Sequence, residues 1–241
     1  MMRPVRGPCY RGFLMSSPHH RLVCGPLRFA LGLAAVVSLA ATSAPPAQQG
    51  GEPAKLSYTK LLKGSVPEYL AITVDASGAA SYDGRKMEEP PTPHSLKLSD
   101  ATTRRLFSLA ESLGYFESGD LESHKKVANL GVKTFTYERQ GKKSQMEFNY
   151  TLQREAQELT DLFERIASVE QHILTLEYLI KYDHLNLPNQ LRQVQIDLDK
   201  KALADPELMA PTLEKIVRGS RFLHLAQVRA QDILDRLQNS N

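Results

Sequence analysis

The histidines of the chain are the side chains whose chemistry could most directly carry catalysis. Beyond the first 44 residues they are His94, His124, His172, His184 and His224. No two have the His-x-His or His-x-x-x-His spacing that brings zinc ligands together, so we predict no metal site. The sequence also has no Gly-x-Ser-x-Gly turn for a serine nucleophile. One enzymatic alternative stays open, a hydrolase whose site combines His172, His184 and nearby carboxylates.

Paired carboxylates and phosphate-binding loops are the other chemical signals. Asp197 and Asp199 form one carboxylate pair and Glu88 and Glu89 another, but surface solvation explains both better than a glycosidase site. Neither Gly-x-Gly-x-x-Gly nor a Gly-Lys-Ser loop occurs. We therefore predict no cofactor and no catalytic residue.

An aromatic and polar cluster is the best candidate for a recognition surface. It consists of Tyr178, Tyr182, Asp183, His184 and Arg192. The two tyrosines are one helical turn apart, and tyrosine is enriched at protein interfaces. The alternative is that these residues cap and pack a corner between two helices.

The N-terminal 44 residues have the pattern of an export signal. Five arginines and no acidic residue precede the apolar run 29–41, which ends in small residues. A membrane anchor would need about 20 apolar residues, and this run is shorter. We expect cleavage between residues 43 and 47, and Met15 is an alternative start. The expected location is periplasmic or secreted.

Removing this signal changes the charge and the cysteine content. The chain has 30 basic and 27 acidic residues, and five of the basic ones precede residue 44, which leaves 25 against 27, a net charge of −2. A nucleic-acid partner is therefore not expected. Cys9 and Cys24 also precede the cut, so disulfides and thiolate chemistry are excluded from the processed chain.

The following residues predict an α+β domain over 66–167. Residues 45–65 are rich in Pro, Gln and Gly and are expected to be a flexible tether. Hairpins are predicted over 68–82 and 132–150, with a short strand at 94–98 between them. Ser99 is an expected N-cap of a helix that ends at Gly114. The fold class is thus a small antiparallel sheet of two hairpins and a short strand, packed by helices.

The C-terminal part predicts a helical array. Apolar residues three and four apart predict a long helix over 153–184, continuous with a helical region over 168–241. Its apolar stripe favours packing within the chain, and therefore a monomer, over a coiled-coil dimer. Because Val194, Ile196 and Leu198 alternate with polar residues, a strand is the alternative to a helix in this segment.

Three features carry a resemblance to a known family: the hairpin 68–84, the helix opened by Leu98-Ser99, and its ending Gly114-Tyr115-Phe116. Residues 66–167 resemble an uncharacterised family of exported bacterial domains, a domain of unknown function. The resemblance implies a hairpin, a strand, a helix, a second hairpin and a second helix in that order, and no activity. Val66-Pro67 stands where that family has Cys-Pro, and its Asp-x-Pro element is not visible over 123–130.

Together these patterns favour an exported, non-enzymatic α+β protein that binds another extracytoplasmic protein or has a structural role. No membrane span is expected after signal cleavage. An extracytoplasmic hydrolase built from distant residues is the alternative.

Overall fold

The sheet has six antiparallel strands. The computed structural model describes residues 53–239. The strands are β1 (Lys55–Leu61), β2 (Tyr69–Asp75), β3 (Ala79–Arg85), β4 (His94–Lys97), β5 (Val132–Arg139) and β6 (Lys142–Phe148). Their order across the sheet is β4-β3-β2-β1-β5-β6. Both predicted hairpins, β2-β3 and β5-β6, and the short strand β4 are confirmed.

Strand β1 corrects the prediction that 45–65 is a flexible tether. Residues Lys55–Leu61 pair with β2 on one side and with β5 on the other. Leu56 and Tyr58 alternate with Ser57 and Thr59, and the first two are fully buried. This period of two marks a half-buried strand, although Pro, Gln and Gly dominate the residues before it. The folded domain therefore begins before Val66.

Two helices cover one face of the sheet. Helix α1 (Asp100–Ser112) begins at the predicted N-cap, where Ser99 Oγ accepts a hydrogen bond from the Thr102 amide at 3.1 Å. Helix α2 (Arg154–Tyr182) lies beside it. Aromatic side chains fill the interface, and the rings of Tyr58 and Phe163 stack with centroids 5.2 Å apart. The core of the domain thus lies between the sheet and these helices.

The long helix α2 belongs to two cores. Its N-terminal half buries Leu159, Phe163 and Ile166 against the sheet. Its C-terminal half buries Leu176 and Leu179 against the helical array. At 1.5 Å per residue, its 29 residues span about 44 Å.

Three further helices complete the array: α3 (Leu187–Asp199), α4 (Ala210–Arg218) and α5 (His224–Asn239). The strand alternative at Val194, Ile196 and Leu198 is wrong, because these residues lie in α3. Val194 is fully buried in the helical core, and tertiary packing outweighs the local β-propensity of the segment. Among residues 53–239, no helix combines the length and apolar character needed to cross a lipid bilayer.

Candidate functional site

Two of the predicted surface residues form an exposed aromatic pair on α2. Tyr178 is 60% exposed and Tyr182 is 63% exposed. Their ring centroids are 5.0 Å apart, because residues four apart share one face of a helix. The Lys181 ammonium lies 4.9 Å from the centre of the Tyr182 ring, and Leu185 in the next turn is 74% exposed. We call Tyr178, Lys181, Tyr182 and Leu185 the aromatic surface.

His184, also predicted for this surface, has a packing role at the corner after α2. Its Nδ1 lies 3.1 Å from the Leu179 carbonyl oxygen. Its ring meets the edge of Phe222 with centroids 5.2 Å apart. The neighbouring Asp183 accepts a hydrogen bond from Asn186 at 2.6 Å. The capping and packing alternative describes these two residues, while the tyrosines remain outside the core.

Arg192, the fourth predicted surface residue, does not join the tyrosines. It is exposed on α3, and no described hydrogen bond, ion pair or ring contact links it to Tyr178 or Tyr182. Arg221 is the arginine at the corner instead. Its Nη2 donates to the Ile180 carbonyl oxygen at 3.1 Å, and its guanidinium lies 5.0 Å from the centre of the Phe222 ring. Sequence reasoning missed Arg221 because it is far from the tyrosines along the chain.

His172 is a buried link between α2 and α3. Its Nε2 lies 3.1 Å from Asp197 Oδ2, and Gln190 Nε2 lies 2.8 Å from its Nδ1. If Gln190 donates to Nδ1, then Nε2 carries the proton and donates to Asp197. Burial lowers the pKa of His172, although Asp197 opposes this effect. Both ring nitrogens are engaged, which leaves neither free to act as a base.

The two histidines of the hydrolase alternative do not come together. His172 contacts α3, whereas His184 contacts the end of α2 and Phe222. The ten residues of α2 that follow His172 span about 15 Å at 1.5 Å per residue, and His184 lies in the turn beyond the end of the helix. Within residues 53–239, no group of three or more His, Cys, Asp or Glu side chains is arranged to hold a metal ion.

A second candidate site lies at the opposite half of α2. A cleft of about 480 Å³ opens between α2, the ends of β1, β5 and β6, and the loop before β5. Its lining includes Lys60, Lys133, Asp161, Glu164, Leu130 and Phe148. We call it the lysine cleft. Its volume falls within the range of about 300–1,000 Å³ that is usual for small-ligand pockets.

Two lysines face each other across neighbouring strands in this cleft. Lys60 on β1 and Lys133 on β5 are register partners. Like charges in directly opposed positions destabilise a sheet. Glu164 on α2 compensates one of them, since its Oε1 lies 2.7 Å from Lys60 Nζ. Tyr58 also donates its hydroxyl to Glu164 Oε1 at 3.1 Å.

The described hydrogen bonds of the Lys133 ammonium all go to backbone carbonyl oxygens. Its side chain is on the buried face of β5, and the residue is only 8% exposed. Nζ donates to the Asn149 carbonyl oxygen at 2.9 Å and to the Leu130 carbonyl oxygen at 3.3 Å. Burial, and second the charge of Lys60, lower the pKa of Lys133. No described carboxylate lies within ion-pair distance of this ammonium.

Asp161, an exposed residue of α2, is the carboxylate that matches Lys133 in the lining of the cleft. No described cation lies within ion-pair distance of it. Partial burial, and second the charge of Glu164, raise the pKa of Asp161, and the charge of Arg165 one helical turn away opposes them. The cleft therefore holds one unpaired cation on the sheet and one unpaired anion on α2.

Sequence reasoning missed the lysine cleft because it assigned Lys60 to a tether. A signal was present in β5, where Lys133 is two residues before the inward-facing Phe135 and four before Tyr137, so it must lie on the same face towards the helices. The depression beside the turn from β5 to β6 differs, because its charged residues Lys142 and Lys143 are exposed.

The chain was compared with known proteins. No model of a known protein family matches it, and no curated protein is significantly similar in sequence. No relative therefore assigns a role to the aromatic surface or to the lysine cleft.

Proposed function

We propose that this chain is an exported, non-enzymatic module that binds another extracytoplasmic protein through the aromatic surface. The observation that carries the proposal is the exposed pair Tyr178 and Tyr182, with rings 5.0 Å apart. Exposed apolar side chains that cluster mark interaction sites more often than scattered ones do. Tyrosines supply large contact areas and hydrogen-bonding hydroxyls at an interface.

Positive charge beside the tyrosines indicates the chemistry of the partner. Lys181 lies over the Tyr182 ring, and Arg221 lies at the corner where α2 ends. No described carboxylate lies within ion-pair distance of either cation. An acidic patch on the partner would be attracted to them, and complementary charge accelerates encounter and fixes orientation. The partner is therefore a folded protein with acidic residues next to an apolar pocket.

The location rests on the leader-like residues 1–44, which lie outside the described residues. Mass spectrometry of the protein recovered from the extracytoplasmic fraction tests it. We expect a processed N-terminus between residues 44 and 48. An unprocessed chain recovered from the cytoplasm would contradict export.

Site-specific photocrosslinking tests the surface. A benzoylphenylalanine at Leu185 should yield one discrete crosslinked species in the native extracytoplasmic fraction, and the same probe at exposed Lys142 should yield none. The variant Tyr182→Ala should reduce the yield at Leu185 by about tenfold or more, as loss of an aromatic hot spot does. Added salt should reduce it further, because screening weakens charge attraction.

Two controls make the crosslinking result decisive. Far-UV circular dichroism and thermal unfolding of Tyr182→Ala should match the unchanged protein, since the side chain is exposed. Equal crosslinking from Leu185 and Lys142, or full yield from Tyr182→Ala, would overturn the aromatic surface as the binding site.

A further inference from the structure

We propose that the lysine cleft binds a small zwitterion, whose carboxylate pairs with Lys133 and whose ammonium pairs with Asp161. This site is separate from the aromatic surface, which lies at the other end of α2. The proposal rests on two unpaired opposite charges that line one cavity from different elements.

Lys133 supplies the inner, anion-binding position. An ammonium carries three N–H donors, and two of them are used by the Asn149 and Leu130 carbonyl oxygens. The third has no partner among the described residues. Lys60 cannot take this role as readily, because its charge is already compensated by Glu164 at 2.7 Å. A buried cation without a counterion is costly, and a ligand carboxylate would compensate it.

Asp161 supplies the outer, cation-binding position. It is on the helical wall of the cleft, whereas Lys133 is on the sheet. A ligand with a negative charge only would meet the Asp161 carboxylate as a repulsive neighbour. A zwitterion satisfies both charges at once, which a phosphate or a simple fatty acid does not.

Apolar side chains in the lining suit a short hydrocarbon spacer between the two charges of the ligand. Leu130 and Phe148 line the cavity, and the Lys133 ammonium lies 5.9 Å from the centre of the Phe148 ring. Methylene groups that pack against these side chains would be removed from water, which favours binding. The ligand class is therefore a compact amino acid with its two charges held apart.

Titrations with single-charge and double-charge probes test the proposal. The probes are 4-aminobutyrate, 5-aminopentanoate and 6-aminohexanoate as zwitterions, hexanoate as the anion and hexylamine as the cation. Backbone amide shifts of the protein, expressed with its own N-terminus and purified as processed, report binding. We expect shifts localised to residues 129–133 and 148–151, and at least one zwitterion that binds about tenfold or more tightly than either single-charge probe.

Two substitutions assign the two ends of the ligand. Lys133→Met should reduce affinity for the best zwitterion to that for hexylamine, and Asp161→Asn should reduce it to that for hexanoate. Lys143→Met, an exposed lysine outside the cleft, should change neither affinity. If Lys133→Met fails to fold, Asp161→Asn still decides the question, because Asp161 is exposed.

Several results would overturn the proposal. Hexanoate that binds as tightly as every zwitterion would mean that the cleft recognises only an anion. Shifts spread over the protein, or no saturable shifts with any probe, would mean that no site exists there. Unchanged affinity in both cleft variants would place the binding elsewhere.

Discussion

The Tyr58 hydroxyl donates to Glu164 Oε1 at 3.1 Å and so joins the central strand β1 to helix α2. Tyr58 is fully buried, and burial together with the Glu164 charge raises its pKa, so the phenol remains a donor. The same carboxylate oxygen accepts from Lys60. One acidic side chain in the lining of the lysine cleft thus fixes the position of both groups.

Removing this hydroxyl should destabilise the protein. We expect Tyr58→Phe to reduce the free energy of unfolding by about 1–3 kcal/mol, because a hydrogen bond to a charged acceptor is lost without loss of the ring packing. Urea unfolding measures the change. The exposed Tyr182→Phe is the matched control and should stay within about 0.5 kcal/mol of the unchanged protein. An equal change in the free energy of unfolding for both variants would show that the Tyr58 hydroxyl does not stabilise the protein through Glu164.

A buried carboxyl should make the protein more stable at acidic than at alkaline pH. Glu170 on α2 is 5% exposed, and burial, and second the charge of Glu177, raise its pKa to about 7. Because this pKa is raised on folding, its stabilising contribution is present below about pH 4.5 and is lost as the pH rises through 7. Glu170→Gln should therefore increase the free energy of unfolding at pH 8, by up to about 3 kcal/mol.

The pH profile of unfolding measures this contribution. Urea unfolding between pH 4.5 and 8 should show a smaller decline in Glu170→Gln than in the unchanged protein. The exposed Glu207→Gln serves as the control and should leave the profile as it is. A decline of the same size in Glu170→Gln would show that another group is responsible.

His172 should make the protein less stable as the pH falls, which is opposite to the effect of Glu170. Its pKa is lowered on folding, so its contribution is present above the unfolded value of about 6.5 and is lost as the pH falls. His172→Gln should flatten the loss of stability on the acidic side of that value. This variant should also reduce the free energy of unfolding by about 1–2 kcal/mol at pH 8, because contacts with Asp197 and Gln190 are disturbed.

The variant Asp197→Asn tests the cause. The Asp197 carboxylate favours protonated His172, so its removal should lower the pKa of His172 further and steepen the loss of stability in acid. A smaller loss of stability in acid for Asp197→Asn than for the unchanged protein would show that Asp197 does not favour the protonated form of His172.

Truncation should distinguish the observed domain boundary from the sequence-based one. A chain that starts at residue 53 keeps every described core residue and should unfold cooperatively. A chain that starts at residue 66 lacks β1, which separates β2 from β5, and should lose cooperative unfolding. Far-UV circular dichroism in urea measures both. Cooperative unfolding of the shorter chain with an equal m-value would show that β1 is dispensable.

Most helices and hairpins could be predicted because each is encoded locally. Ser99 caps α1, and the three-and-four spacing of apolar residues predicts α2. Strand β1 was missed because its seven residues carry two lysines and follow a segment rich in Pro and Gly. Strand β1 is recognised by its pairing with β2 and β5, and the pairing with the distant β5 cannot be read from a local sequence pattern.

The two candidate sites also differ in whether their contacts follow from local sequence spacing. Tyr178 and Tyr182 share a helix, so their contact follows from their spacing. The lysine cleft combines β1, β5, β6 and α2, and its charges become neighbours only when the sheet has formed. Arg192 and Arg221 illustrate the same limit, since the arginine that reaches the corner after α2 is the more distant one in sequence.

The central position of β1 also sets the order in which the sheet can form. Strands β1 to β4 are consecutive neighbours, so they can pair as a meander of short connections. The other edge of β1 pairs with β5, and Lys55 meets Glu138 there. Until β5 arrives, β1 presents an open edge able to pair with another chain. Because non-local pairing of this kind is slow, the open edge of β1 is where pairing with another chain would compete with β5 during folding.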